Sequence, residues 1–172
     1  MLALLKLLQS IFATLHSEGT PRQVAAGLAL GTALGLTPLV NPHNLIVFAL
    51  LCLLNVSFGG GMLGWALFTP IGFALDPLFH RIGLALLEAP GLRPLWTWCY
   101  NAPLMPYTNF NNSVVLGSFL TWLVLLLPIY VLGRKGIAIY RERYASRVMQ
   151  SRLYRALSAT KLFDIYHWFR PE

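Results

Sequence analysis

Hydrophobic positions dominate this chain in long uninterrupted stretches, and charged positions are confined to a few places. No Asp, Glu, Lys or Arg occurs between Arg22 and Asp76, a run of 53 residues, and a second uncharged run of 40 residues separates Arg93 from Arg134. A charge at the centre of a bilayer costs roughly 2.5–3.5 kcal/mol on the insertion scale, whereas the loops of a soluble protein need charges to return to water. The pattern therefore predicts an all-α integral membrane protein.

The first apolar run predicts a helix over residues 21–36 with small residues along one face. Thr20 or Ser17 is placed to cap this helix, and Pro21 suits its first turn. Its glycines recur at four-residue spacing: Gly27, Gly31 and Gly35. Small residues on one helical face allow a second helix to approach closely in lipid. We predict that the three glycines pack against another helix, with direct contact to a lipid or a partner as the alternative.

Two further apolar stretches follow, over residues 44–57 and 62–75, and a turn at Gly59-Gly60-Gly61 separates them. A full crossing takes about 20 residues, so the region is either three short, tilted helices or includes a re-entrant hairpin. Residues 114–132 form an uncharged span of full length. The chain as a whole then has about four short transmembrane helices, or two spans plus the hairpin.

Basic residues are concentrated at the C-terminal end. Nine of the 13 Lys and Arg lie from Arg134 onward against three acidic residues, so this end carries +6 of the net charge of +7. By the positive-inside rule the C-terminus is cytoplasmic, and Lys6 and Arg22 place the N-terminus there as well. We expect a multi-pass protein of a bacterial inner membrane with both termini cytoplasmic and residues 77–112 in the periplasm.

Amphipathic segments flank the predicted spans. Residues 1–16 suit a helix that lies in the membrane interface, and residues 137–170 read as a basic amphipathic helix. We therefore divide the chain into a membrane domain (1–133) and a cytoplasmic tail (134–172). The regular apolar stripe of the tail favours anionic lipid over nucleic acid, the other ligand of arginine-rich helices. The predicted lipid contacts are Arg134, Lys135, Arg141, Arg143, Arg147, Arg152 and Arg155.

Polar residues embedded in apolar runs are the candidates for chemistry. Asp76 and His80 stand four apart, so a helix would place them on one face, where they could relay protons or activate water. In the alternative interpretation, Asp76 caps a helix that begins at Pro77. Amides in lipid need partners on neighbouring helices or along a hydrated path. The predicted polar membrane cluster comprises Asn41, His43, Asn44, Asn55, Asp76, His80 and Arg81.

The chain carries no nucleophile motif, phosphate loop or metal-ligand spacing. We therefore predict that it is not an enzyme and that it uses no metal and no cofactor. An aromatic, proline-broken stretch precedes the last span, and it suits either the headgroup belt or a docking surface for a periplasmic partner. The candidate docking residues are Trp96, Trp98, Tyr100, Asn109, Asn111 and Asn112.

Three passages carry a family resemblance: TPRQVAAGLALGTALGLTP from Thr20, LDPLFHRIG from Leu75 and FNNSVVLGS from Phe110. Together they resemble an uncharacterised family of small proteobacterial inner-membrane proteins related to the domain of unknown function numbered 2062. The wider family usually has Asn-Pro where Asp76-Pro77 stands here. The resemblance implies no catalytic residues, since the family has no established active site.

Members of the narrower family resemble proteins that are paired with a larger, membrane-anchored envelope protein of a lipid-bridging type. The resemblance implies an inner-membrane subunit that docks such a partner and assists phospholipid transport between the inner and outer membranes. Two alternatives come from the residues themselves. One is a small transporter or channel built on broken helices, and the other is an intramembrane enzyme that uses Asp76 and His80.

Overall fold

The structure, a computed structural model, describes Thr14, residues 19–143 and Ala145 of the 172-residue chain. The predicted interfacial helix over residues 1–16 and the tail after Ala145 therefore lie outside the described residues, apart from Thr14. The part described is all-helical, which confirms the all-α part of the predicted class. Its α-helices are α1 (Pro21–Leu36), α2 (Pro42–Leu53), α3 (Phe58–Glu88), α4 (Arg93–Asn101) and α5 (Ser113–Arg143).

Local signals set both ends of α1 where the sequence predicts them. Thr20 Oγ1 accepts a hydrogen bond from the N–H of Gln23 at 3.3 Å, and Gln23 Oε1 accepts one from the N–H of Thr20 at 2.9 Å. This reciprocal arrangement satisfies two N–H groups that the start of a helix leaves free. At the other end, Pro38 has no N–H to donate to the carbonyl of Leu34, so the helical ladder stops there.

α3 is continuous where the sequence predicts breaks. The turn predicted at Gly59–Gly61 is wrong, because all three residues are helical and Ser57 caps the helix by accepting a glycine N–H at 3.1 Å. Pro70 and Pro77 also lie inside α3. Asp76 therefore sits within a helix, and the interpretation that it caps a new helix is wrong. Each interior proline removes one backbone hydrogen bond, which helices packed against neighbours tolerate.

α1 runs parallel to α3 and touches it backbone to backbone. A Cβ placed on Gly27 would fall on the carbonyl oxygen of Ser57, and one placed on Gly35 would lie 2.8 Å from the backbone N of Thr69. Residue numbers therefore rise in the same direction along the two helices. α2 makes the return connection between them.

α5 runs antiparallel to α3 through a second glycine contact. A Cβ on Gly117 would fall on the carbonyl oxygen of Phe79, and one on Gly83 would fall on that of Ser113. α5 contains the predicted span over residues 114–132 and continues beyond it to Arg143. α5 packs on both α3 and α1, so these three helices form the centre of the described structure.

The core lies where α1, α3 and α5 meet. Phe79 of α3 is fully buried there, and so is Ser118 of α5. The indole N–H of Trp122 donates to the carbonyl of Ala29 at 3.0 Å and ties α5 to α1. The outer faces are apolar and carry large side chains that are exposed over two thirds or more of their surface: Leu45, Leu53, Phe73, Val124, Leu127 and Leu132.

Candidate functional site

The glycine face of α1 is occupied by α3 of the same chain. A Cβ on Gly31 would fall on the carbonyl oxygen of Gly61. Only glycine allows two helical backbones to come this close. At Gly27, Gly31 and Gly35 the face therefore packs against α3.

Three asparagines form a clasp over the turn between α1 and α2. Asn41 and Asn44 each donate a side-chain N–H to the carbonyl of Pro38, at 2.7 and 2.8 Å. Asn109 donates its own to Oδ1 of Asn41 at 2.8 Å, although the two are 68 positions apart in the chain. The hydroxyl of Thr37 lies 2.8 Å from Oδ1 of Asn44. This amide clasp (Asn41, Asn44 and Asn109) thus makes its hydrogen bonds within the chain.

The remaining polar candidates do not take part in the hydrogen bonds of the amide clasp. Asn55 accepts a hydrogen bond from Nε2 of Gln23 at 2.8 Å, near the start of α1. His43 packs against Phe119 with ring centroids 5.1 Å apart, and its buried Nε2 has no hydrogen-bond partner within the described range. Arg81 is exposed. The seven residues predicted as one polar cluster therefore occupy several separate places.

His80 belongs to the contact between α3 and α5. Its Nδ1 lies 2.6 Å from Oγ of Ser113, the first residue of α5, and the tautomer decides which of the two groups donates. Asp76 lies one helical turn earlier on α3. No hydrogen bond or ion pair joins Asp76 to His80 in the part of the chain that the structure describes.

Asp76 instead lines a groove of about 410 Å³ between the C-terminal end of α1 and the middle of α3. The two helices also touch at one edge of this groove, where a Cβ on Gly72 would fall on the carbonyl oxygen of Gly35. Trp65 and Phe73 are the aromatic residues of its lining, and no Lys, Arg or His is among the lining residues. The groove is therefore an acidic and aromatic site.

Sequence reasoning singled out Asp76 but missed the carbonyl end of α1 as the other half of this groove. Pro38 indicates that the carbonyl of Leu34 has no backbone N–H donor. However, no spacing in the sequence indicates that this end of α1 packs beside Asp76, because their proximity follows from the parallel packing of α1 and α3.

The predicted docking stretch forms an aromatic segment (residues 93–110) with one anchored tryptophan. Trp96 donates its indole N–H to the carbonyl of Leu86 at 3.0 Å and stacks on Phe110 with ring centroids 6.0 Å apart. Other aromatic side chains of the segment are 65–75% exposed: Trp98, Tyr100 and Tyr107. Of the asparagines that follow, Asn111 is exposed, and Asn112 caps α5 by accepting the N–H of Val114 at 2.9 Å.

The predicted lipid contacts that the structure describes lie on the last turns of α5. Arg134, Lys135 and Arg143 are exposed. Arg141 donates a guanidinium N–H to the carbonyl of Gly19 at 2.6 Å, which brings the end of α5 beside the start of α1. The other predicted lipid contacts lie outside the described residues: Arg147, Arg152 and Arg155.

Comparison with known proteins gives a family but no activity. The family model described as "Uncharacterized protein conserved in bacteria (DUF2062)" matches residues 6–146. The chain is also similar to an uncharacterized protein of Treponema pallidum (strain Nichols), with 27% identity over 138 residues that cover 80% of this chain and 85% of the relative. No solved structure matches the chain.

Proposed function

The chain belongs to the DUF2062 family, and we propose that it is an inner-membrane subunit that docks a larger envelope protein and assists phospholipid transport between the two membranes. The observation that carries this proposal is the aromatic segment, which exposes Trp98, Tyr100 and Tyr107 on an anchored base. Three features support it in turn: the apolar outer surface, the arrangement of helices and the build of that segment.

The apolar outer surface supports insertion into a membrane. α3 and α5 are each long and apolar enough to cross a bilayer. In the most apolar 18-residue stretch of each helix, only 28% and 22% of the stretch, respectively, is buried inside the protein. A core helix of a soluble protein of this hydropathy would be mostly buried, because exposed apolar surface is unfavourable in water. Lipid is the environment in which such faces are stable.

The helix lengths support two spans plus a re-entrant hairpin. α1 has 16 residues and α2 has 12, so at 1.5 Å per residue they extend about 24 and 18 Å. Both are shorter than the roughly 30 Å hydrocarbon core. The amide clasp supplies donors to the carbonyls of Pro38 and Leu39 at the tip, as non-helical backbone at membrane depth requires. Both termini then lie in the cytoplasm.

The aromatic segment supports docking. Trp and Tyr are enriched at the energetic centres of protein interfaces, and anchoring of Trp96 and Asn109 reduces the entropy that the segment would lose on binding. The transporter alternative relied on two breaks: one around Asn41-Pro42, which the structure has between α1 and α2, and one at Gly59–Gly61. Because that run is helical, we favour docking over transport by this chain alone.

Photocrosslinking in cells tests the proposed docking. A benzophenone amino acid is placed singly at Trp98, Tyr100 or Tyr107, and the control position is Phe73, which is 74% exposed but lies on α3. We expect the aromatic segment to crosslink to one larger envelope protein and Phe73 to crosslink to lipid. The absence of any protein crosslink from all three segment positions would contradict docking.

A lipid-transfer measurement tests the transport role separately. In cells that carry Trp98→Ala and Tyr100→Ala together, we expect slower movement of pulse-labelled phospholipid between the membranes at unchanged protein level. The control is Phe58→Ala, which removes an exposed aromatic side chain from α3 outside both the aromatic segment and the groove of Asp76. Normal transfer in cells that lack the protein would refute the transport role while leaving docking open.

A further inference from the structure

Asp76 is a half-buried carboxylate within an apolar helix. Among the described residues it has no ion pair and no hydrogen bond. Ionisable side chains within membrane segments are costly, and they normally face a cavity and pair with another group. Asp76 meets the first condition, because it lines the groove beside α1. Its pairing group must then come from an occupant of that groove.

The other wall of the groove is the carbonyl end of α1. Pro38 cannot donate to the carbonyl of Leu34, and the N–H and hydroxyl of Thr37 both point to Ala33. Within the described chain, no donor reaches the last three carbonyl oxygens of the helix: Leu34, Gly35 and Leu36. The C-terminus of a helix carries about half a negative charge. The carboxylate of Asp76 and the negative C-terminal end of α1 therefore meet at one groove, and no Lys, Arg or His lines it.

The chemistry of the lining points to an organic cation. Among the described residues, no group of three or more His, Cys, Asp or Glu could hold a metal ion, and Asp76 is the one carboxylate in the lining. Trp65 and Phe73 line the same groove, and aromatic rings attract ammonium groups within about 6 Å of their centroid. A volume of about 410 Å³ has room for a headgroup.

We propose that this groove binds a primary ammonium group, with Asp76 as its counter-ion and the carbonyl end of α1 as its hydrogen-bond acceptor. The ammonium could belong to a phosphatidylethanolamine headgroup or to a free amine. The inference rests on the membrane insertion proposed above, because α1 then extends about 24 Å into a hydrocarbon core of roughly 30 Å and brings the groove close to the headgroups of the far leaflet. It does not depend on the docking partner.

Lipid binding to the purified full-length protein tests this inference. Native mass spectrometry in detergent gives dissociation constants for phosphatidylethanolamine and for its N-acetyl derivative, which has the same chains and phosphate but no ammonium. We expect the wild type to prefer phosphatidylethanolamine at least tenfold. Asp76→Asn keeps the side-chain shape and should abolish the preference. Glu88→Gln removes a carboxylate elsewhere on α3 and should retain it.

Equal binding of the two lipids by the wild type would overturn the inference without reliance on any variant, and so would a retained preference in Asp76→Asn. Displacement of the lipid by free ethanolamine would support the ammonium site and show that soluble amines enter it. Lack of displacement, with the preference intact, would assign the site to the lipid headgroup. If the lipid preference is absent but the aromatic segment still crosslinks to its partner, this inference alone is refuted. If the lipid preference is present but the crosslinks are absent, docking alone is refuted.

Discussion

Replacement of Gly31 by Ala tests whether the contact between α1 and α3 is as close as the structure shows. The new Cβ would fall on the carbonyl oxygen of Gly61 and would lie 2.6 and 2.7 Å from its carbonyl carbon and Cα. Real Cβ atoms essentially never come within 3.0 Å of a neighbour. These are backbone atoms that no rotamer change can move aside, so the two helices must separate.

The size of the effect follows from two opposing terms. An overpacked contact costs about 1–3 kcal/mol, and a gap of 0.5–1 Å along the rest of the face loses roughly a quarter to a half of each dispersion contact. Against this, Ala is favoured over Gly inside a helix by about 0.8–1.0 kcal/mol. We expect Gly31→Ala to lower the free energy of unfolding by up to about 2 kcal/mol.

A second glycine separates the two terms. Gly136 lies inside α5, and a Cβ placed there meets nothing within 4 Å, so Gly136→Ala should show the helix-propensity gain alone. The difference between the two variants then measures packing, and we expect about 1–3 kcal/mol. The measurement is equilibrium unfolding of the detergent-solubilised protein by dodecyl sulfate, followed by circular dichroism. If both variants are equally stable, α1 and α3 do not pack backbone to backbone at Gly31.

Two further predictions concern hydrogen bonds between distant segments. Trp122→Phe removes the indole donor to the Ala29 carbonyl but keeps an aromatic ring. The hydroxyl of Thr32 still donates to that carbonyl at 2.7 Å, so we expect a loss of about 0.5–1.5 kcal/mol in the same unfolding assay, the net contribution of one hydrogen bond. Unchanged stability would mean that the bond contributes nothing. Asn109→Ala frees the aromatic segment from Asn41, so amide hydrogen exchange should quicken around residues 105–110 and stay unchanged in α1. A uniform change, or none, would contradict that attachment.

The elements that the sequence predicts well are those whose ends depend on adjacent residues. α1 is an example, because Thr20, Gln23 and Pro38 act within a few positions of its ends. The start of α5 is another, since Asn112 caps it through its immediate neighbours. Such interactions require no knowledge of the rest of the fold, which is why propensity and capping rules describe them correctly.

The predicted breaks in α3 are wrong because they rest on rules for helices in water, in which interior glycine and proline lower the stability of a helix. In water, Gly59–Gly61 would favour a turn, since glycine loses much backbone entropy on ordering. In this protein, the glycine face of α1 packs against Gly61. In the proposed membrane insertion, Pro70 is accommodated because unpaired backbone groups are so unfavourable in lipid that the helix continues around it. Ser57 was the available signal for the start of this helix.

Contacts between distant residues could not be predicted from periodicity. The bond between Asn109 and Asn41 and the pairing of His80 with Ser113 join positions 68 and 33 residues apart. Each depends on the antiparallel placement of α5 or on the fold of the aromatic segment. The sequence therefore identifies polar residues that need partners, but the helix packing decides which partners they receive.

Pro38 connects the fold to the proposed ammonium site. A residue with an N–H at this position could donate to the carbonyl of Leu34 and allow α1 to continue, and both the tip of the hairpin and the free carbonyl groups would then be lost. The close approach of Gly35 to Gly72 holds this helix end against α3. Asp76 lies four positions after Gly72 and so about one turn further along α3. The same small residues that pack the two helices therefore place a carboxylate and a helix C-terminus around one groove, and no side chain of the described chain neutralises it.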